Sequence, residues 1–164
     1  MVDSQRIADL RRRIQRDPAS IAFAQLAEDL RRAGALDEAV AVCRTGLRTH
    51  PGYTSARITL GRALLAANQF DAAHAEFQYV RSNAPDSVAA LRGLANIAEQ
   101  RGQIDEAVAL YRAAIRIAPK DPELPRIVSR LSATTKALEA ASERERAART
   151  IEALERFASA FLSL

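Results

Sequence analysis

The chain has 164 residues, 48% of them hydrophobic, with a single Cys, no Trp and a formal charge of +4. One cysteine excludes an internal disulfide framework, and no apolar run approaches the ~20 residues that a membrane-spanning helix needs. Long β-branched runs and Asn-Gly hairpin signals are missing, which argues against strands, while aromatics at 5% leave closely packed helices with an Ala- and Leu-built core.

The positive charge is almost all Arg, since Lys occurs only at 120 and 136. Basic charge attracts nucleic acid or anionic membrane, but here Arg is interleaved with Glu and Asp along most helices, as on solvated faces. The first stretch, MVDSQRIADLRRRIQ, has no apolar core of a secretory signal, so the chain reads as soluble and cytoplasmic. Residues 3–16 form a short amphipathic helix, with Ile7, Leu10 and Ile14 on one face and Arg6, Arg11, Arg12, Arg13 and Arg16 on the others. Such a helix is marginal alone, and 1–17 is expected to cap the first of the helices after it. Asp17-Pro18 then restarts the chain as a helix start.

From residue 20 a pattern recurs at an interval of thirty-four residues. Leu60-Gly61, Leu64, Asn68, Asp71, Ala73, Phe77 and Pro85 have counterparts at Leu26-Ala27, Leu30, Gly34, Asp37, Ala39, Cys43 and Pro51. They recur again at Leu94-Ala95, Ala98, Gly102, Asp105, Ala107, Tyr111 and Pro119. An exact period without gaps marks stacked repeats, here 20–53, 54–87 and 88–121 within a unit of 18–121. Each repeat reads as two antiparallel helices: about 19–33 with 36–49, 54–67 with 70–83, and 88–101 with 104–117. Gly34, Asn68 and Gly102 supply a left-handed turn between them, and Asp37, Asp71 and Asp105 favour the positive end of each second helix. Proline stops that helix. Phe23, Leu26, Ala27 and Leu30 then face Ala39, Cys43 and Leu47, and the later repeats follow suit. No repeat buries its faces alone, whereas three stacked ones do.

The pattern resembles the tetratricopeptide repeat. That resemblance implies an all-α fold, a right-handed α-α superhelix of helix pairs. It also implies a scaffold or adaptor whose first ("A") helices line a concave groove for a peptide or helix of a protein partner. Carried over position by position, the groove residues include Gln25 and Glu28, then Ile58, Arg62 and Leu65, then Arg92, Asn96 and Glu99. Ala24, Thr59, Ala89 and Gly93 belong to the same face. The family's chaperone-tail clamp does not carry over, because Ala24, Glu28, Ala89 and Gly93 replace its Lys, Asn and Arg positions. Arg62, Arg92 and Asn96 are left as a smaller candidate site for an acidic group, since guanidinium matches carboxylate geometry; alternatively Glu28 and Glu99 neutralise them.

After Pro119 the pattern fails, and 122–141 reads as a C-terminal capping helix with Leu124, Ile127, Val128, Leu131 and Leu138 inward. At Ser142-Glu143-Arg144-Glu145 either a new helix starts from a capping box or one helix continues; as a domain, 142–164 is expected to be a separate amphipathic helix. Its apolar face holds Ile151, Leu154, Phe157, Phe161 and Leu162. That face folds back on the cap, pairs with another copy in a homodimer, or awaits a partner.

No chemistry-bearing constellation stands out. His50 and His74 have no Cys or second His at zinc-ligand spacing, no phosphate loop occurs, and no nucleophile pairs with a base. The expectation is a non-enzyme without metal or cofactor. Its rival from another class is a nucleic-acid-associated protein using the Arg6–Arg16 patch, though nothing offers aromatic stacking. The Arg and Ala content looks bacterial.

Overall fold

The computed structural model describes residues 4–162, with side chains for residues 4–159. Among these residues there are eight helices and no strand, as the period requires. They are α1 (Ser4–Arg16), α2 (Ala22–Arg32), α3 (Leu36–Thr49), α4 (Thr54–Ala66), α5 (Phe70–Asn83), α6 (Val88–Gln100), α7 (Ile104–Ile117) and α8 (Glu123–Leu162). The chain divides between Asp121 and Pro122 into two units, the first holding α1–α7 and the second α8.

The turns inside the three hairpins are built alike. Gly34 (φ 80°), Asn68 (φ 58°) and Gly102 (φ 73°) are left-handed, where glycine is unstrained and asparagine tolerable. Directly after each, the N–H of Ala35, Gln69 and Gln103 donates to the carbonyl of Leu30, Leu64 and Ala98, every time at 2.9 Å. This closure occupies a helix-end carbonyl that would otherwise be orphaned. Helix α2 begins later than 19, because Asp17 closes a turn instead of capping a helix. Its Oδ1 accepts from Ala19 N–H at 3.2 Å and its carbonyl from Ser20 N–H at 3.0 Å.

The expected inner faces are buried. Phe23, Leu26, Ala27 and Leu30 of α2 and Ala39, Cys43 and Leu47 of α3 form one continuous core with Leu60, Leu64, Ala73, Phe77 and Val80. Two ring placements depend on glycine. Phe77 lies between Gly61 and Gly93, so that a Cβ would meet its ring at 2.8 Å and 2.5 Å respectively; Phe23 covers Gly46 more closely still. Cys43 is a core residue whose Sγ–H points at the Ala56 carbonyl, 3.6 Å away. Burial, reinforced by the charges of Glu76 and Glu28, pushes its thiol up to about 12.

Polar side chains bind the repeats where rings do not. Arg57 stands thirty-four residues after Phe23 and before Leu91. Its guanidinium stacks 3.7 Å from the Tyr79 ring centroid, donates to the Pro51 carbonyl at 2.9 Å and pairs with Glu76 at 2.8 Å. Both histidines are structural in placement. His50 stacks on Phe23 and its Nε2–H donates to the Ala19 carbonyl at 2.6 Å, while His74 is half-buried within α5.

Within the first unit α2 contacts α4 and α4 contacts α6, whereas no contact joins α3 to α5 or α5 to α7 among the described residues. The A helices therefore lie on the inner, concave side, and α3, α5 and α7 fan out on the convex side.

The second unit is one unbroken helix, so the expected boundary at 142 between two helices is absent. Pro125 sits in its first turn, and no Gly or Pro follows to break it. Spaced pairs such as Glu145 with Arg149 at 2.5 Å support it further along. The fold-back of the tail is thereby ruled out. Leu138 is also not inward, being 62% exposed. A 40-residue helix extends about 60 Å, and a lone helix has nothing within its own unit to cover Leu138.

Candidate partner-binding groove

The concave face holds two adjoining clefts. The larger, about 670 Å³, is walled by α1, α2, α4 and the start of α6. Gln25, Glu28, Ile58 and Arg62 line it, together with Ile21 and Tyr53. The smaller, about 430 Å³, is lined by Arg62, Leu65 and Asn96 beside Arg31 and Phe70. Arg62 thus stands between the two, at the repeat position that Glu28 and Asn96 occupy in the flanking repeats.

The charges sort into committed and uncommitted ones. Glu28 accepts two hydrogen bonds from Arg31, at 3.0 and 2.8 Å, one from Arg32 at 3.0 Å, and one from the Thr59 hydroxyl at 3.4 Å. The Arg31 hydrogen bond above all, with the Arg31 charge and Arg32 adding to it, outweighs desolvation and lowers the Glu28 carboxyl to about 2. Arg92 is committed to Asp121 at 2.9 Å. The expected Arg62–Arg92–Asn96 acid site is therefore incomplete, since one of its two guanidinium groups already holds a carboxylate. Glu28, for its part, is neutralised by Arg31 and Arg32 of its own helix, not by Arg62 or Arg92. Arg62 is exposed and makes no ion pair among the described residues.

One predicted groove position is packed away: Gly93 is buried under the Phe77 ring, whereas Ala24 and Thr59 line the floor of the larger cleft with little exposure, 7% and 5%. A repeat position fixes which side of a helix a residue occupies, but a large ring arriving from the neighbouring helix decides whether it is reachable.

The contribution of α1 goes beyond the capping role expected of it. Its Arg6 and Arg13 line the larger cleft. Arg6 Nε lies 2.9 Å from Asp29 Oδ2, an ion pair whose direction is not that of a hydrogen bond, so the buried oxygen has only an ionic neighbour. The signal is present in the sequence: Ile7, Leu10, Ile14 and Pro18 precede Val40, Cys43, Leu47 and Pro51 by thirty-three residues each. Helix α1 is stacked on α2 as a second helix of a preceding repeat would be, one residue out of register. Of the five arginines in the basic patch, Arg6 pairs with Asp29, Arg11 with Glu38 at 2.5 Å, and Arg12 with Asp9.

Two family models describing the tetratricopeptide repeat match residues 58–122 and 30–78, together more than half of the chain. The chain belongs to the tetratricopeptide-repeat family. Over 67 residues it is 37% identical to the protein CTR9 homolog of Arabidopsis thaliana, covering 41% of this chain. It spans 6% of the length of the curated relatives it matches. Among solved structures, MamA from Desulfovibrio magneticus RS-1 superposes with a TM-score of 0.72 at 18% identity, over 84% of this chain and 78% of that one. The first tetratricopeptide domain of Spaghetti, solved with the HSP90 peptide SRMEEVD, gives 0.64 at 16% identity, over 82% and 97%. At these identities the structures speak for a tetratricopeptide-repeat fold alone.

On α8, Ile151 (56%), Leu154 (62%) and Phe157 (73%) are exposed. Phe161 and Leu162 lie outside the described side chains. No helix among the described residues is long and apolar enough to cross a membrane.

Proposed function

We propose that this tetratricopeptide-repeat protein is a non-catalytic scaffold whose concave face receives a peptide or helix of a protein partner. The observation that carries this reading is the 670 Å³ cleft on the A-helix side, with Ile21 and Ile58 for apolar contact and Arg62 left without a counter-charge. That the Spaghetti domain holds a peptide supports it. The groove residues are Gln25, Glu28, Ile58, Arg62, Leu65 and Asn96. Arg92 and Glu99 belong to the same helix face, with Arg92 tied to Asp121. Residues 18–121 form the binding unit, and α8 follows it in the chain.

Affinity capture from an extract of the native cell tests this with the wild type, Arg62→Glu and, as a convex-side control, Arg112→Glu. A partner lost with Arg62→Glu and kept with Arg112→Glu supports the groove. Equal recovery with all three chains, or recovery abolished by nuclease, opposes it. The nucleic-acid reading is the weaker one, because three of the five arginines in its patch are already ion-paired. A second reading, homodimerisation through α8, is favoured by the exposure of Ile151, Leu154 and Phe157.

A further inference from the structure

Two surfaces of this molecule are left chemically incomplete, and each has what the other lacks. In the larger cleft, Arg32 is engaged by Glu28 and Arg6 by Asp29. Arg13 of α1 and Arg62 of α4 line the same cleft, and neither makes an ion pair among the described residues. Beside them Ile21 is 57% exposed and Ile58 half-buried. This end of the groove therefore fits carboxylates flanking aliphatic side chains. A patch of this kind, apolar and rimmed by charge, marks an interaction site.

The segment Ile151–Phe157 of α8 has that composition. Ile151, Leu154 and Phe157 project from one side of the helix and are more than half exposed. Glu155 stands at the edge of that side and makes no ion pair among the described residues. Glu152 projects from the opposite side of the helix, where it pairs with Arg156 at 3.6 Å.

We propose that the Ile151–Phe157 segment of one copy docks into the α1/α4 end of the groove of a second copy, joining the chains head to tail. The mode is an amphipathic helix laid in a groove. Glu155 meets Arg13 and Arg62, and the apolar face covers Ile21 and Ile58. This rests on the groove reading above and names an occupant for it. Pairing two α8 stripes with each other covers the same apolar face but leaves Arg13 and Arg62 without counter-charge. A head-to-tail contact is heterologous, so it repeats into chains or closes into a ring, of which a reciprocal dimer is the smallest.

Sedimentation velocity on the full chain over a concentration series tests the proposal by charge reversal. Circular dichroism checks that each variant keeps its helix content. The wild type self-associates, more weakly as salt is raised. Arg13→Glu/Arg62→Glu and Glu155→Arg each lose association by roughly tenfold or more, because like charges then face each other. An equimolar mixture of the two variants regains it, since each variant's groove now matches the other's helix. Three outcomes overturn the proposal: a wild type that stays monomeric, an arginine variant that associates as the wild type does, or a mixture that fails to recover. If the arginine variant self-associates normally yet loses a foreign partner in the capture experiment, the groove reading stands and the head-to-tail contact falls.

Discussion

Phe77 shows how much a single side chain decides. It occupies the large position shared with Cys43 and Tyr111, and its ring closes on both Gly61 and Gly93. Gly61 was legible as a site of close helix approach, because its repeat counterparts are Ala27 and Ala95. Gly93 was not, because its counterparts Gln25 and Thr59 point to the groove and only the ring's reach buries it. Gly93→Ala would put a methyl 2.5 Å from that ring. Overpacking of this kind costs about 1–3 kcal/mol, readable as a lower urea midpoint, and an unchanged midpoint would count against the packing described.

Glu28 carries a pH dependence of definite sign. Its carboxyl is lowered from 4.5 to about 2 in the folded chain. The unfolded chain thus binds its proton first, and the stabilisation is fully present above about 4.5 and lost as pH falls towards about 2. The stability gap between the wild type and Glu28→Gln is therefore expected to shrink across that window. Denaturant titrations at several pH values would measure it, and a constant gap would contradict the assigned partners.

Among the helices and turns, what repeats was readable and what occurs once was not. The three left-handed turns follow from Gly34, Asn68 and Gly102 falling at one position of the period. Asn68→Val should cost about 1–2 kcal/mol, because a β-branched residue is strained at φ 58°, while Asn68→Gly should be close to neutral. Thermal melts of the two variants would check this; equal melting temperatures would argue against a left-handed turn. Helix α1 was recognised as a cap but not as a wall of the groove, since a one-residue slip hides its kinship to α3. The single helix α8 was left open by the sequence because Ser142-Glu143-Arg144-Glu145 suits both a helix start and a helix interior. Hydrogen exchange on the chain diluted until it is unassociated should separate its parts: amides of α4 and α6 exchange slowly, while those of α8 from Glu139 to Ser159 exchange fast, their side chains being exposed. Uniform protection along α8 would show that its distal part is covered.

For the molecule as a whole, the thirty-four-residue period specifies the architecture because every repeat uses the same contacts with its neighbour. The ligand is not specified in that way. It is set by which groove side chains remain uncommitted after folding, and that depends on contacts such as Arg92 with Asp121 and Arg6 with Asp29, which follow no period. On the proposed reading, the same contacts leave Arg62 and the α1 wall, not Arg92, to meet a partner.

The most direct test is photo-crosslinking in the native cell with a photoreactive amino acid placed at Gln25, Ile58 or Leu65. The same probe at the convex-side positions Arg44 and Arg112 serves as the comparison. Covalent adducts to protein from the three groove positions, with none from the convex pair, are the predicted result. Adducts arising equally from both sides, or only from Arg44 and Arg112, would contradict a concave binding face.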